Sequence, residues 1–182
     1  MTASILRRLS SRTVYENRWM RVREDAIERP DGSPGIYGVV EKPDFVVVIP
    51  VEGALVHLVE QYRYPVQARQ WEFPQGSWEH APDADPLTVA AAELREETGL
   101  AARTITHLGH LHSAHGYATQ GCHVFLATGL VRVGREATPE EQDLVTRAFA
   151  RRELEAMILA GEIKDATTVA AYGLLCLHER RG

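Results

Sequence analysis

Hydrophobic and polar positions change rhythm several times along the chain, and each change predicts an element. In WMRVREDAIERPDGSPGIYGVVEK, Met20, Val22 and Glu24 alternate with Arg21, Arg23 and Asp25, the two-residue period of an extended strand. The run Pro30-Asp31-Gly32-Ser33-Pro34-Gly35 then concentrates turn formers. DFVVVIP replaces alternation with a continuous β-branched run, which predicts a strand buried on both faces. Glu52-Gly53 turns the chain, and Leu55–Glu60 returns as a second strand. THLGHLHSAHGYATQGCHVFLATGL predicts another strand pair around a glycine-containing loop.

The helical period appears in three places. Asp85 followed by Pro86 offers an N-cap acceptor and a proline at the first helical position, and Gly99 offers a left-handed stop. Between them Leu87, Ala91, Leu94 and Thr98 fall on one arc, the expected packing face on a sheet. A second helix over 151–160 ends at Gly161. Asp165 caps a third, in which Val169, Leu174, Leu175 and Leu177 supply apolar surface. Strands first, one helix in the middle and two at the end predict an α/β fold, a mixed sheet covered by helices.

Composition narrows the partners. The 182 residues, 45% hydrophobic and 25% charged, suffice for one domain with a sizeable core. A net charge of −5 favours neither nucleic acid nor an acidic membrane surface, so an anionic substrate needs local help from arginine or metal. Cys122 and Cys176 form no CxxC pair, and two buried free thiols in a reducing compartment are expected. The basic start MTASILRRLSS has only Ile5-Leu6 as its apolar run, too short for a signal-peptide core. No apolar run approaches the roughly 20 residues of a membrane span. A cytoplasmic protein is expected.

The stretch AAAELREETGL raises the chemical question. Glu93, Glu96 and Glu97 share a helix face, with Cβ atoms about 5–6 Å apart, and like charges there cost a few tenths of a kcal/mol per pair. Glu96 and Glu97 also approach the helix C-terminus, where the macrodipole disfavours negative charge. A hard divalent cation opposite the cluster would explain it, since Mg²⁺ and Mn²⁺ prefer carboxylate oxygens. The helix alone leaves a solvated face and a cation site both open.

Context favours the cation. The residues resemble the Nudix hydrolase family, whose box reads G-x5-E-x7-R-E-U-x-E-E-x-G-U with U aliphatic. Gly76 opens the box, and residues 93–100 match E-U-x-E-E-x-G-U at every fixed position. There are departures. Gly76 precedes Glu93 by seventeen positions rather than fifteen, Ala92 stands for the box arginine, and Ala84 stands where the loop glutamate is expected. Glu79, Asp83 and Asp85 are open as substitutes. The flanks VEQYRYPVQARQWEFPQGSWE and AGEIKDATTVAAYGLL look like the ADP-ribose and nucleotide-sugar pyrophosphatase branch, so the likeness covers roughly residues 40 to 178.

The resemblance implies a Nudix α/β/α sandwich with a mixed β-sheet over residues 41–182. Residues 1–40 would add N-terminal antiparallel strands that resemble the branch's dimerisation arm, hence a homodimer. It implies hydrolysis of a nucleoside diphosphate-linked small molecule with Mg²⁺, or Mn²⁺ in its place. ADP-ribose or a similar nucleotide sugar would yield AMP and a sugar phosphate. Glu93 and Glu97 are the first-choice ligands. Glu96 shares the cluster as ligand or catalytic group, and a backbone carbonyl near Gln75-Gly76 completes the set. The general base is expected in TPEEQDL, with Glu141 preferred to Glu140. For substrate, Arg63 offers a guanidinium fork, Glu72 a ribose or metal-water contact, and Tyr62, Tyr64 and Trp71 stacking surfaces. His115 lies where the branch has a substrate loop. His107, His110, His112 and His115 also invite a zinc reading, with His110 and His112 on one strand face, but no HExxH or flanking cysteine accompanies them. Other substrates remain open: NADH, a dinucleoside polyphosphate, GDP-mannose or an oxidised nucleotide. So does a non-catalytic sensing module, which Ala92 favours and the intact glutamates oppose.

Overall fold

The computed structural model describes residues 5–78, 81, 83–135 and 143–181. Its contacts divide the chain into two compact units, one reaching Asp44 and including His112–Gly121, the other made of Phe45–Leu111 and the chain from Cys122.

The first unit is an antiparallel sheet of β1 (Arg7–Glu16), β2 (Arg21–Glu28) and β3 (Pro34–Glu41), in the order β1-β2-β3. Its most buried residues are Asp25 and Ile27 on one face of β2, and Asp25 is held by the Arg23 guanidinium. The hydrogen bond from that guanidinium keeps the Asp25 carboxyl below the ordinary carboxylate range. β1 is exposed at all ten positions. It is secured by its ladder and by cross-strand ion pairs, Arg7 to Glu28 and Arg12 to Glu24, each at 2.8 Å. The Tyr37 hydroxyl donates to the Gly116 carbonyl at 2.6 Å, tying the 112–121 loop to β3.

The second unit is built on β4 (Phe45–Glu52), β5 (Leu55–Arg63), β6 (Ala68–Glu72), β7 (Gln75–Gly76), β8 (Leu100–His112), β9 (Gly121–Arg132) and β10 (Val145–Ala150). The sheet runs β10-β5-β4-β9-β8. β4 lies parallel to β9, whereas β5 is antiparallel to β4 and β10, so the sheet is mixed. Helix α1 (Pro86–Thr98) brings Val89, Ala90 and Leu94 to one core with Val46, Val48, Phe125 and Ala127. Helices α2 (Arg151–Leu159) and α3 (Ala166–Glu179) bring Leu154, Ala171, Tyr172 and Leu175 to the other, with Val47, Ile49, Val124 and Phe149. Successive β4 side chains enter opposite cores, which is why its sequence never alternates. The result is the expected α/β/α sandwich with a mixed sheet, plus the separate N-terminal antiparallel sheet. Among the described residues no helix is long and apolar enough to cross a membrane.

One irregularity positions the site. β4 and β5 pair only beside their turn, at Val51↔Val56 and Glu52↔Leu55. Beyond that they splay, and the returning chain fills the wedge: β6 pairs with β5 and β7 pairs with β4.

Three packing expectations need correction. In α1, Leu87 is 44% exposed and Ala91 is exposed, while Val89, Ala90, Glu93, Leu94, Glu97 and Thr98 are buried. The buried stripe is rotated toward the carboxylates, because they find partners inside. In α3, Val169 and Leu177 are exposed, and Thr168 is fully buried because its hydroxyl accepts from the Phe73 N–H at 3.0 Å. Of the two free thiols, only Cys122 is fully buried; Cys176 is half-buried. Leu175→Ala should therefore cost about 2–5 kcal/mol in urea unfolding. Leu177→Ala, at a position 55% exposed, should stay within about 0.5 kcal/mol. Equal losses would mean that α3 packs with the other face inward.

Candidate active site

Helix α1 starts and stops where its end residues dictate. The Asp85 side chain accepts from the Leu87 N–H, and Gly99 closes the helix at φ 69°, its N–H bonding the Arg95 carbonyl. The last turn is anchored from outside: the Thr146 hydroxyl donates to the Glu97 carbonyl at 3.0 Å, and Arg135 donates to the carbonyls of Glu96 and Leu144. Glu93 and Glu97 are thereby held at fixed positions, 6% and 3% exposed. Glu96 is half-buried.

β7 meets both carboxylates with backbone alone. The Gln75 N–H donates to Glu97 Oε2 at 3.0 Å. At Gly76, a Cβ would stand 2.5 Å from the carboxyl carbon of Glu93, well inside contact distance, so any side chain there would displace that carboxylate. Two buried carboxylates one helical turn apart repel each other, and burial raises the cost of each charge. An all-oxygen donor set in a cradle with no space for a methyl group suits a small hard cation.

A third buried carboxylate sets the wedge. Glu72, 2% exposed, closes β6 opposite Val59. It accepts from Gln61 Nε2 at 2.7 Å, from Arg63 Nη2 at 2.5 Å and Nε at 3.2 Å, and from Gln75 Nε2 at 3.0 Å. Gln61 and Arg63 are two apart on β5, so they share a face and both reach Glu72; Tyr62 between them points the other way and is 48% exposed. Burial pushes the Glu72 carboxyl above its ordinary range, and the Arg63 charge pulls against that shift. The chain from Glu72 to Gly76 is pinned residue by residue. Beyond the Glu72 knot, Phe73 donates to Thr168, Pro74 accepts from the Val48 N–H at 2.9 Å, and Gln75 donates to Glu97.

The structure thus joins Glu93, Glu97, Gln75 and Gly76 in one cluster, with Arg63 and Glu72 linked to it through Gln75. Arg63 directs two of its guanidinium nitrogens at Glu72. Trp71 is half-buried and packs edge-on against Phe149, ring centroids 4.8 Å apart, so it serves the core. Tyr62 and Tyr64 are the exposed rings of this stretch. His115 is exposed and belongs to the other compact unit. Glu140, Glu141 and Glu79 lie outside the described residues. Asp85 is engaged as the helix cap, and Asp83 is exposed. Sequence reasoning missed Gln61 and Thr168. Gln61 could have been found from its i, i+2 spacing to Arg63; Thr168 carries no local signal.

A carboxylate-bearing helix clamped onto a sheet between helical layers defines a frame for cation-assisted hydrolysis. Comparison with known proteins agrees. A family model described as the nucleoside diphosphate sugar hydrolase N-terminal domain matches residues 7–40, and the NUDIX domain model matches residues 42–171. The ADP-ribose pyrophosphatase of Mycobacterium tuberculosis is 36% identical over 172 residues, 93% of this chain and 82% of that protein. The methanol dehydrogenase activator of Bacillus methanolicus is 29% identical, covering 94% of this chain and 92% of its own length. A crystal structure of an ADP compounds hydrolase superposes with a TM-score of 0.87 at 20% identity, over 99% of this chain and 97% of that one, and shows the same fold. The chain belongs to the Nudix family and is a Nudix hydrolase.

Gly76→Ala should displace the Glu93 carboxylate and weaken Mn²⁺ binding at least about tenfold, some 1.4 kcal/mol, by calorimetric titration. Unchanged affinity would mean that Glu93 is not held against Gly76 in solution.

Proposed function

We propose that the chain is a Mg²⁺-dependent pyrophosphatase that hydrolyses ADP-ribose, or a similar nucleotide sugar, to AMP and a sugar phosphate. The observation that carries this reading is the buried pair Glu93 and Glu97 held against Gln75 and Gly76. The substrate class is supported by the relative named ADP-ribose pyrophosphatase and by the N-terminal family model for nucleoside diphosphate sugar hydrolases.

Glu93, Glu97 and Glu96 would hold the cation, with the Gln75 or Gly76 carbonyl as a neutral ligand. Bound Mg²⁺, or Mn²⁺ in its place, neutralises the diphosphate and lowers the pKa of water. The protein's part is alignment. Glu141, or Glu140 beside it, takes the proton from the attacking water as a P–O bond of the diphosphate breaks. Glu72 acts through others, fixing Gln75 and the Arg63 guanidinium, whose remaining donors meet substrate oxygens. Tyr62 offers the stacking surface for the base. Residues 41–182 form the hydrolase domain and residues 1–40 a dimerisation arm. β1, the edge strand of its sheet, exposes Leu9, Val14 and Tyr15, a surface that a second copy would cover. The cytoplasm suits such an enzyme.

A second reading keeps the fold and changes the ligand. The named activator of another enzyme among the relatives and Ala92 in place of the box arginine favour a module acting through nucleotide recognition, or a Nudix hydrolase with a different substrate. Both are decided by one assay. With Mg²⁺ saturating, the chain should release AMP from ADP-ribose faster than products from NADH, GDP-mannose, a dinucleoside polyphosphate or an oxidised nucleotide. Glu93→Gln and Glu97→Gln should each cost at least about a hundredfold, ~2.7 kcal/mol of barrier. No turnover on any compound would exclude catalysis. In the same assay Glu141→Gln or Glu140→Gln should lose at least about tenfold, ~1.4 kcal/mol; if neither does, the base lies elsewhere.

A further inference from the structure

Three imidazoles outside the hydrolase site meet on one face of the sheet. His107 and His110 come from β8 and His123 from β9. Strict alternation would put His107 and His110 on opposite faces. Packing shows where alternation breaks. Ile105 joins the core beneath α1, whereas Leu108 and Leu111, three apart, both join the core beneath α3. A Cβ at Gly109 would meet Leu174 on that same α3 side, so the extra residue is absorbed at Leu108–Gly109, the kind of bulge glycine permits and which re-aims a side chain. Beyond it His110 returns to the face of His107. His123 shares that face from the neighbouring strand, two residues before Phe125, on which the His107 ring packs at 5.1 Å.

His123 is the ring that both others approach. His107 Nε2 lies 3.3 Å from His123 Nδ1. The His110 and His123 ring centroids are 4.7 Å apart, and each ring brings a nitrogen within 4.8 Å of the other's. We propose that His107, His110 and His123 form a binding site for a borderline divalent transition metal such as Zn²⁺, Ni²⁺ or Cu²⁺. Two imidazole nitrogens bound at about 2.0–2.1 Å with a tetrahedral angle stand about 3.4 Å apart, and His107 and His123 already have nearly that separation. Imidazole selects these metals over hard Mg²⁺, which the carboxylate cluster suits instead. The two sites thus differ in donor chemistry. His123 is half-buried on an inner strand and sets the base of the site, while His107 and His110 are exposed and open to solvent. Metal entry would replace the N–H···N contact between His107 and His123, the bridging proton moving to the far nitrogen of its own ring. In the proposed site the third ring comes from β9 rather than from the HLGHLHSAHG stretch.

The test uses the full chain without an affinity tag, carrying Glu93→Gln and Glu97→Gln to silence the carboxylate site. Zn²⁺ is titrated by calorimetry and Cu²⁺ by electron paramagnetic resonance. The expected result is one equivalent per chain, with a copper spectrum split by two or three imidazole nitrogens. His123→Ala and the exposed, structurally mild His107→Gln should each weaken Zn²⁺ binding at least about tenfold. Absence of stoichiometric uptake would leave only an imidazole–imidazole hydrogen bond and overturn the proposal. So would uptake unchanged in both variants. Neither outcome bears on hydrolysis.

Discussion

A single backbone-to-side-chain hydrogen bond organises the hydrolase unit: the Gln75 N–H to the carboxylate of Glu97, with Gly76 packed on Glu93 beside it. It joins a two-residue strand to the last turns of α1, and every nearby feature orients one or the other. The β4–β5 splay opens the wedge that β7 enters. The Glu72 knot and the Thr168 hydroxyl hold the approach from Glu72 to Gly76. The Asp85 cap, the left-handed Gly99 and the Thr146 hydroxyl fix the helix. A shift of about 1 Å at β7 would cost the carboxylates their positions, and such precision is what a reacting centre demands.

The arrangement is poor in stability terms and sensible in functional ones. Two carboxyl groups near a helix C-terminus and mostly removed from water cost stability, through repulsion, dipole and lost solvation of the charge they carry. The surrounding cores, with Val46, Val48 and Leu94 on one side and Val47, Ile49 and Leu175 on the other, supply the apolar burial that tolerates this. Sites that sacrifice stability for a charge constellation are the common signature of function.

Much of this was legible along the chain, and the failures have physical causes. β4 announces itself because burial on both faces leaves an uninterrupted β-branched run. The ends of α1 are legible because Asp85-Pro86 and Gly99 act locally. The buried face of α1 was misread because apolar periodicity assumes that charges point outward, and here Glu93 and Glu97 point inward. β1 carries no periodic signal because every position is exposed. β6 and β7 are too short for one, and their pairing depends on the distant splay. Glu93, Glu97 and Gly76 were legible as a spaced motif, whereas the Gln61 and Thr168 contacts arise only on folding. The approach of His107 and His110 to His123 depends on strand pairing and, for His110, on the irregularity beside Gly109, neither written in the HLGHLHSAHG stretch itself.

The proposed role of the inward carboxylates is to bind a cation, and thermal unfolding with and without metal tests it most directly. In excess chelator, Glu93→Gln/Glu97→Gln protein should melt above the unaltered chain, because a repulsive buried pair is gone. Saturating Mn²⁺ should then raise the melting temperature of the unaltered chain alone, by the binding free energy that linkage adds to the folded state. Equal melting temperatures in chelator, together with equal shifts on adding Mn²⁺, would show that the pair is neither strained nor a cation site.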